Sequence, residues 1–114
     1  MTVVYRDASV EVPRVIVDTG SASTILNADL METLGIVPEP SDRLGTLRGV
    51  GGREVVFARH VDRLLVGDTG MSDFEIEIGG MDYGFGLDGI LGMDFVRGTG
   101  AIVNLRALNL EHAA

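Results

Sequence analysis

In this 114-residue chain, the stretch best placed to do chemistry is a carboxylate carried inward by three apolar residues. Val15-Ile16-Val17 leads directly to Asp18, and Thr19-Gly20-Ser21 follows. Three β-branched residues in succession read as a strand buried on both faces. Gly20 lets the backbone turn where a Cβ would clash. An ionised Asp at the end of such a strand is costly unless it is hydrogen-bonded or shares a proton with a second carboxyl. The same tripeptide also suits an ordinary turn, so on these residues alone a turn and a chemical site are both open.

The other residue types narrow the chemistry. There is no cysteine, so disulfides and thiolate nucleophiles are excluded. His60 and His112 are far apart and neither has metal-ligand spacing, so no metal site is expected. Asp73, Glu75, Glu77 and Asp82 lack the ligand order of a calcium loop and read as a solvated strand face. With a net charge of −8 and arginines that never cluster, no nucleic-acid partner is expected. No apolar run approaches membrane-spanning length and no signal peptide is evident, so the expected location is cytoplasmic.

The elements that must position Asp18 are mostly strands. The length predicts one domain over residues 1–114, with 46% hydrophobic residues to form its core. Thr2–Tyr5 and Val10–Val12 read as short strands, and Pro13 places the break between them and the Asp18 strand. After an extended Ser23–Leu26, Asn27 caps a short helix to about Leu34, with Gly35 as its stop. Two hairpins follow: Arg43–Arg48 with Glu54–Phe57 around a glycine-rich turn, then Val61–Val66 with Phe74–Ile78. Phe74, Ile76 and Ile78 alternate with Glu75 and Glu77, the pattern of a sheet with one wet face. Ile90–Val96 reads as a second short helix ended at Gly98, and two strands close the chain. Strands dominate, so the predicted fold is all-β, a closed or nearly closed barrel with one or two short helices.

Two further motifs are decoys. Gly84-Phe85-Gly86-Leu87-Asp88-Gly89 matches the dinucleotide G-x-G-x-x-G, and Glu111 follows about 20 residues on. No apolar strand feeds its first glycine, and Gly98 and Gly100 cut the following helix short. Asp68-Thr69-Gly70 repeats the opening tripeptide between two alternating strands, which is hairpin-turn chemistry, and Asp68 is expected to be exposed and inert.

Taken in order, Asp18-Thr19-Gly20-Ser21 after an apolar strand, a glycine-tipped hairpin and then Ile90-Leu91-Gly92 resemble the retropepsin-like, single-domain aspartic proteases. The spacing from Asp18 to Ile90 leaves room for a flap; the spacing from Asp68 does not. The resemblance implies a retropepsin-like closed acid-protease barrel in which Val17-Asp18 packs against Ile90-Leu91-Gly92. It implies that Asp18 is the catalytic carboxylate and that Thr19 bonds the partner chain's equivalent loop. It further implies that Gly20 allows close substrate approach and that Ser21 hydrogen-bonds the outer carboxylate oxygen. Val50, Gly51 and Gly52 resemble the flap. Retroviral members often carry an acidic residue soon after the first motif and an arginine after the second. Ala22 and Met93-Asp94 stand in those places, so that interface buttress is missing. Asp88-Gly89-Ile90-Leu91-Gly92 is closer to cellular and bacterial members.

The function implied is an aspartic endopeptidase. One chain supplies one catalytic Asp and the reaction needs two, so a homodimer is expected, acting on a peptide or protein substrate. The rival expectation is a dimeric peptide-binding or scaffold domain of the same fold with weak or no hydrolysis.

Overall fold

The computed structural model describes residues 1–49, 52–81 and 86–112, with the backbone alone for 47–49 and 52–53. Its elements run β1 (Thr2–Tyr5), β2 (Ala8–Glu11), β3 (Val15–Val17), β4 (Ile25–Asn27), α1 (Ala28–Glu32), β5 (Arg43–Gly49) and β6 (Gly52–Val66). Then come β7 (Thr69–Gly79), β8 (Gly89–Leu91), α2 (Met93–Thr99), β9 (Ile102–Asn104) and β10 (Asn109–Glu111). One eight-stranded sheet has the order β2-β1-β6-β7-β4-β8-β3, with β5 added to β6; β9 and β10 form a small second sheet. The expected all-β architecture is present, and the large sheet curls into a half-barrel.

The core follows from the alternation in β7. Phe74, Ile76 and Ile78 are buried, and Glu75 and Glu77 lie on the other face. The buried set joins Val3, Val12, Leu26, Met31, Ile36, Leu64, Leu91 and Phe95. Phe95 closes it from α2, meeting Phe74 edge-on at 5.9 Å between ring centroids. Asn27 caps α1 as expected, its Oδ1 accepting from Asp29 N and Leu30 N, and Gly35 at φ +78° ends the turn that follows.

Tertiary pairing departs from the sequence reading in three places. The two hairpins share one strand: β6 runs unbroken for 15 residues, pairing β5 at one end and β7 along the rest. Ile90-Leu91 is strand, not helix; α2 starts only at Met93, runs through Gly98 and stops at Gly100, φ +70°. The strand expected to be buried on both faces, Val15–Val17, is not so buried; the strand whose three residues are all buried is β8. β3 has Ile16 41% and Val17 42% exposed. The reason is position: β3 is the last strand of the sheet, laddered only to β8. Its apolar residues form a strand as their types suggest, but an edge leaves Ile16 and Val17 partly exposed.

Outside the sheet, Arg59 ties the segment before β5 to β6. Its guanidinium donates to both oxygens of Asp42 (2.9 and 2.7 Å) and to Val37 O (2.9 Å). No described helix is long and apolar enough to cross a membrane.

Candidate active site

Asp18 stands just beyond the end of β3. Parallel pairing sets Ile16 opposite Ile90 and Val17 opposite Leu91, and Asp18 N continues the ladder by donating to Leu91 O at 3.0 Å. Ladder bonds of this kind fix a backbone far better than a free loop would. The carboxylate is half-buried, and among the described residues its one hydrogen bond comes from Gly20 N to Oδ1 at 2.9 Å. A Cβ on Gly20 would lie 3.2 Å from that oxygen, so glycine allows the amide its close approach. Ser21 N donates to Asp18 O at 3.1 Å and closes the turn.

The far side of this turn is clamped to the segment after β8. Met93 N donates to Ser21 O at 2.8 Å. Thr24, fully buried, accepts from Gly92 N at 3.1 Å and donates to Asp94 Oδ1 at 2.8 Å, while its own amide donates to Asp94 Oδ2 at 3.1 Å. In the sequence, Asp94 stands near the place where retroviral members often have an arginine. The structure gives it an intrachain task, holding Thr24 and the start of α2 through Phe95 N at 2.8 Å.

The structure places Asp18 and Gly20 beside Ile90, Leu91 and Gly92. Thr19 is exposed at the turn. Ser21 differs from its expected contact: its hydroxyl donates to Ser23 O at 2.7 Å, bracing the loop backbone instead of reaching the carboxylate. A nearby carbonyl is a strong local acceptor for a serine and wins the proton here. Gly52 opens β6 opposite Gly49, so the glycine-rich hairpin exists; Val50 and Gly51 lie outside the described residues. Asp68 is exposed in a two-residue turn led by Gly67 at φ +57°. The dinucleotide-like glycines fail too, because Gly89 opens a strand where a helix would be required. Among the described residues, no group of three or more His, Cys, Asp or Glu side chains is placed to hold a metal ion.

A second clasp precedes the site, and sequence reasoning missed it. Arg14, just before β3, donates from Nε (2.8 Å) and from its amide (3.2 Å) to Asp88 Oδ2, and from Nη2 (3.2 Å) to Oδ1. In return Arg14 O accepts from Asp88 N and Gly89 N at 2.8 and 3.2 Å. The clasp sets the register in which β3 and β8 begin to pair. Its only sequence signal is the acidic residue directly ahead of Gly89-Ile90-Leu91-Gly92; nothing local points to Arg14.

Hydrogen bonds from the Arg14 guanidinium, helped by its charge, hold the Asp88 carboxyl below its usual range against the opposing effect of burial. A lowered folded pKa contributes stability above the unfolded value of about 3.9, and loses it as pH falls through the folded one. The thermal midpoint is therefore expected to fall below about pH 4. Asp88→Asn should lower the midpoint at neutral pH and make the acid fall shallower. Asp42, held down by Arg59, has the same sign, so some acid dependence should remain. Thermal unfolding followed by circular dichroism across that range checks both effects.

Known proteins match this chain in family and in fold. A family model described as aspartyl protease matches residues 2–95. No curated protein matches the sequence. The crystal structure of a retropepsin-like aspartic protease from Rickettsia conorii superposes with a TM-score of 0.59 at 14% identity, over 91% of this chain and 92% of that one. At that identity the likeness shows a shared, retropepsin-like fold.

Proposed function

The chain belongs to the aspartyl protease family, and on that footing we propose that it hydrolyses peptide bonds with a water held between two Asp18 carboxylates, one from each chain of a homodimer. The observation that carries this reading is the state of Asp18. A rigid ladder presents its carboxylate half-buried, with Gly20 N its only hydrogen-bond donor among the described residues. On this reading one chain offers half of a two-carboxylate site, and Ile16 and Val17 beside it are apolar residues left 41% and 42% exposed. A two-fold partner would supply the missing half.

The chemistry then needs no cofactor. One carboxylate, ionised, takes a proton from water as oxygen attacks the scissile carbonyl carbon; the other, protonated, donates to the carbonyl oxygen. Collapse of the tetrahedral diol breaks the C–N bond, and the leaving nitrogen takes up a proton from the dyad. Aspartic proteases are the general example of such pairing: carboxyls about 3 Å apart cannot both ionise, so the pair holds one proton over its working range. That proton belongs to the pair and not to either residue. The Gly20 amide keeps one oxygen aimed while the proton moves. The substrate would lie extended across the site, its main chain pairing with strand edges beneath the β5–β6 hairpin.

The test is cleavage of an unbiased peptide mixture between about pH 3.5 and 7.5, read by mass spectrometry, a range spanning a shared-proton dyad. Cuts made by the wild type support the protease. A folded dimer with no cuts at any pH would favour a peptide-binding domain instead. The shared site also predicts that serial dilution shifts the sedimentation profile from dimer to monomer as specific activity falls in parallel. Constant activity per chain in a sample shown to be monomeric would contradict the dyad.

A further inference from the structure

Glu54 lies near the start of β6, in ladder register with Leu47 of β5. Its half-buried side chain crosses to the end of β7, where Oε1 accepts from Met81 N at 3.1 Å. The path is open because the corner is glycine. A Cβ on Gly79 would lie 2.7 Å from Glu54 Oε1 and 2.9 Å from Val56 Cγ1; one on Gly80 would lie 3.3 Å from the same carboxylate oxygen. Met81 has φ +57°, a left-handed conformation that a residue with a Cβ enters at a cost. The Glu54 carboxylate meets that conformation's N–H and offsets the cost.

Met81 is buried in a small cluster with Ile25 and Ile90, against which Leu87 packs. Ile90 is in turn the ladder partner of Ile16 in β3 and of Ile25 in β4. Contacts therefore run without a break from the β5–β6 hairpin, through Met81 and Ile90, to the strand that presents Asp18.

We propose that Glu54 is a positioning residue for the Asp18 strand: it holds the Met81 amide, and through Met81 it seats Ile90 against β3. The kinetic consequence rests on the protease reading above; the positional one does not. Glutamine keeps an oxygen acceptor at this point and alanine removes it, so Glu54→Gln should preserve the arrangement and Glu54→Ala should loosen it. Loosening leaves the Met81 N–H without its partner and lets Ile90 shift, and small displacements at a reacting group are costly in rate.

Residue-resolved amide hydrogen exchange tests the positional claim in the intact protein. Glu54→Ala should speed exchange about tenfold at Met81 N and also at Asp18 N, which donates to Leu91 O. Ile36 N, bonded to Met31 O away from this route, should not change, and Glu54→Gln should resemble wild type. On a peptide the wild type cleaves, Glu54→Ala should lower kcat about tenfold with a smaller change in KM, and Glu54→Gln should restore it. Faster exchange at Met81 without any change at Asp18 would overturn the proposal, as would a glutamine variant no better than alanine. Normal kcat in a variant whose Asp18 amide is loosened would overturn the kinetic part. If no form of the protein cleaves peptide, the protease reading fails, and the exchange pattern alone decides the role of Glu54.

Discussion

On the proposed dimeric-protease reading, Asp18→Asn is expected to reduce peptide cleavage by about 10²–10⁴-fold while the protein stays folded and its oligomeric state is unchanged. An asparagine keeps the shape of the side chain and leaves an oxygen to accept from Gly20 N, so the turn and its ladder bond to Leu91 O should survive. What it removes is the proton chemistry. A pair of amides can neither take a proton from water nor pass one to the scissile carbonyl. The control is Asp68→Asn, which alters the same tripeptide in an exposed hairpin turn and should leave rate and stability unchanged. Rates compared on one peptide, with circular dichroism and sedimentation on the same samples, decide the matter. Equal losses in the two variants would refute the assignment of Asp18.

The second large effect is expected from Gly92→Ala, although it adds only a methyl group. Gly92 has φ −92°, a conformation open to alanine, so no backbone strain is at stake. The constraint is distance. A Cβ there would lie 2.2 Å from Ser23 O, 2.5 Å from Ser23 C and 3.0 Å from Ser21 O. All three are backbone atoms of the loop between Asp18 and β4, so no side chain can swing away. The loop must move, and with it the bonds from Gly92 N to Thr24 and from Met93 N to Ser21 O. Overpacking typically costs about 1–3 kcal/mol, and a backbone clash belongs at or above the top of that range. That is a large share of the roughly 5–15 kcal/mol that holds a domain together. The urea midpoint should fall clearly, and cleavage should be lost under conditions where the variant is still folded. A variant with an unchanged midpoint and full turnover would show that the loop does not approach Gly92 so closely.

These two predictions also mark how far the residues alone could be read. The place of Ile90-Leu91-Gly92 beside Asp18 came from the family resemblance and its strand conformation was not legible at all, whereas the Asp18 turn was legible as a local signal, an apolar run ending in a turn former. The helix cap at Asn27, the alternation in β7 and the innocuous turn at Asp68 were legible for the same reason. Their physics lies within a few residues of chain. The role of Glu54 was not legible, because its partner is the amide of Met81, and a backbone donor carries no residue identity.

The remaining differences have one cause. Val15-Ile16-Val17 and Gly89-Ile90-Leu91 have similar apolar character, yet the first is an exposed edge and the second a buried interior strand. That difference depends on strand order, which composition does not encode. Arg14 and Asp88, and Thr24 and Asp94, sit on segments far apart in the chain and become partners only after β3, β4 and β8 pair. The sequence by itself determined that strands dominate, where Asn27 caps a helix and which ordered motifs resemble a known family, since propensity, turn chemistry and hydrophobic period act over short range. Only the tertiary structure decided which strand lies at the edge, which polar groups clamp the site, and that the Ser21 hydroxyl braces its own loop, because those outcomes depend on what each group meets once distant segments are packed together.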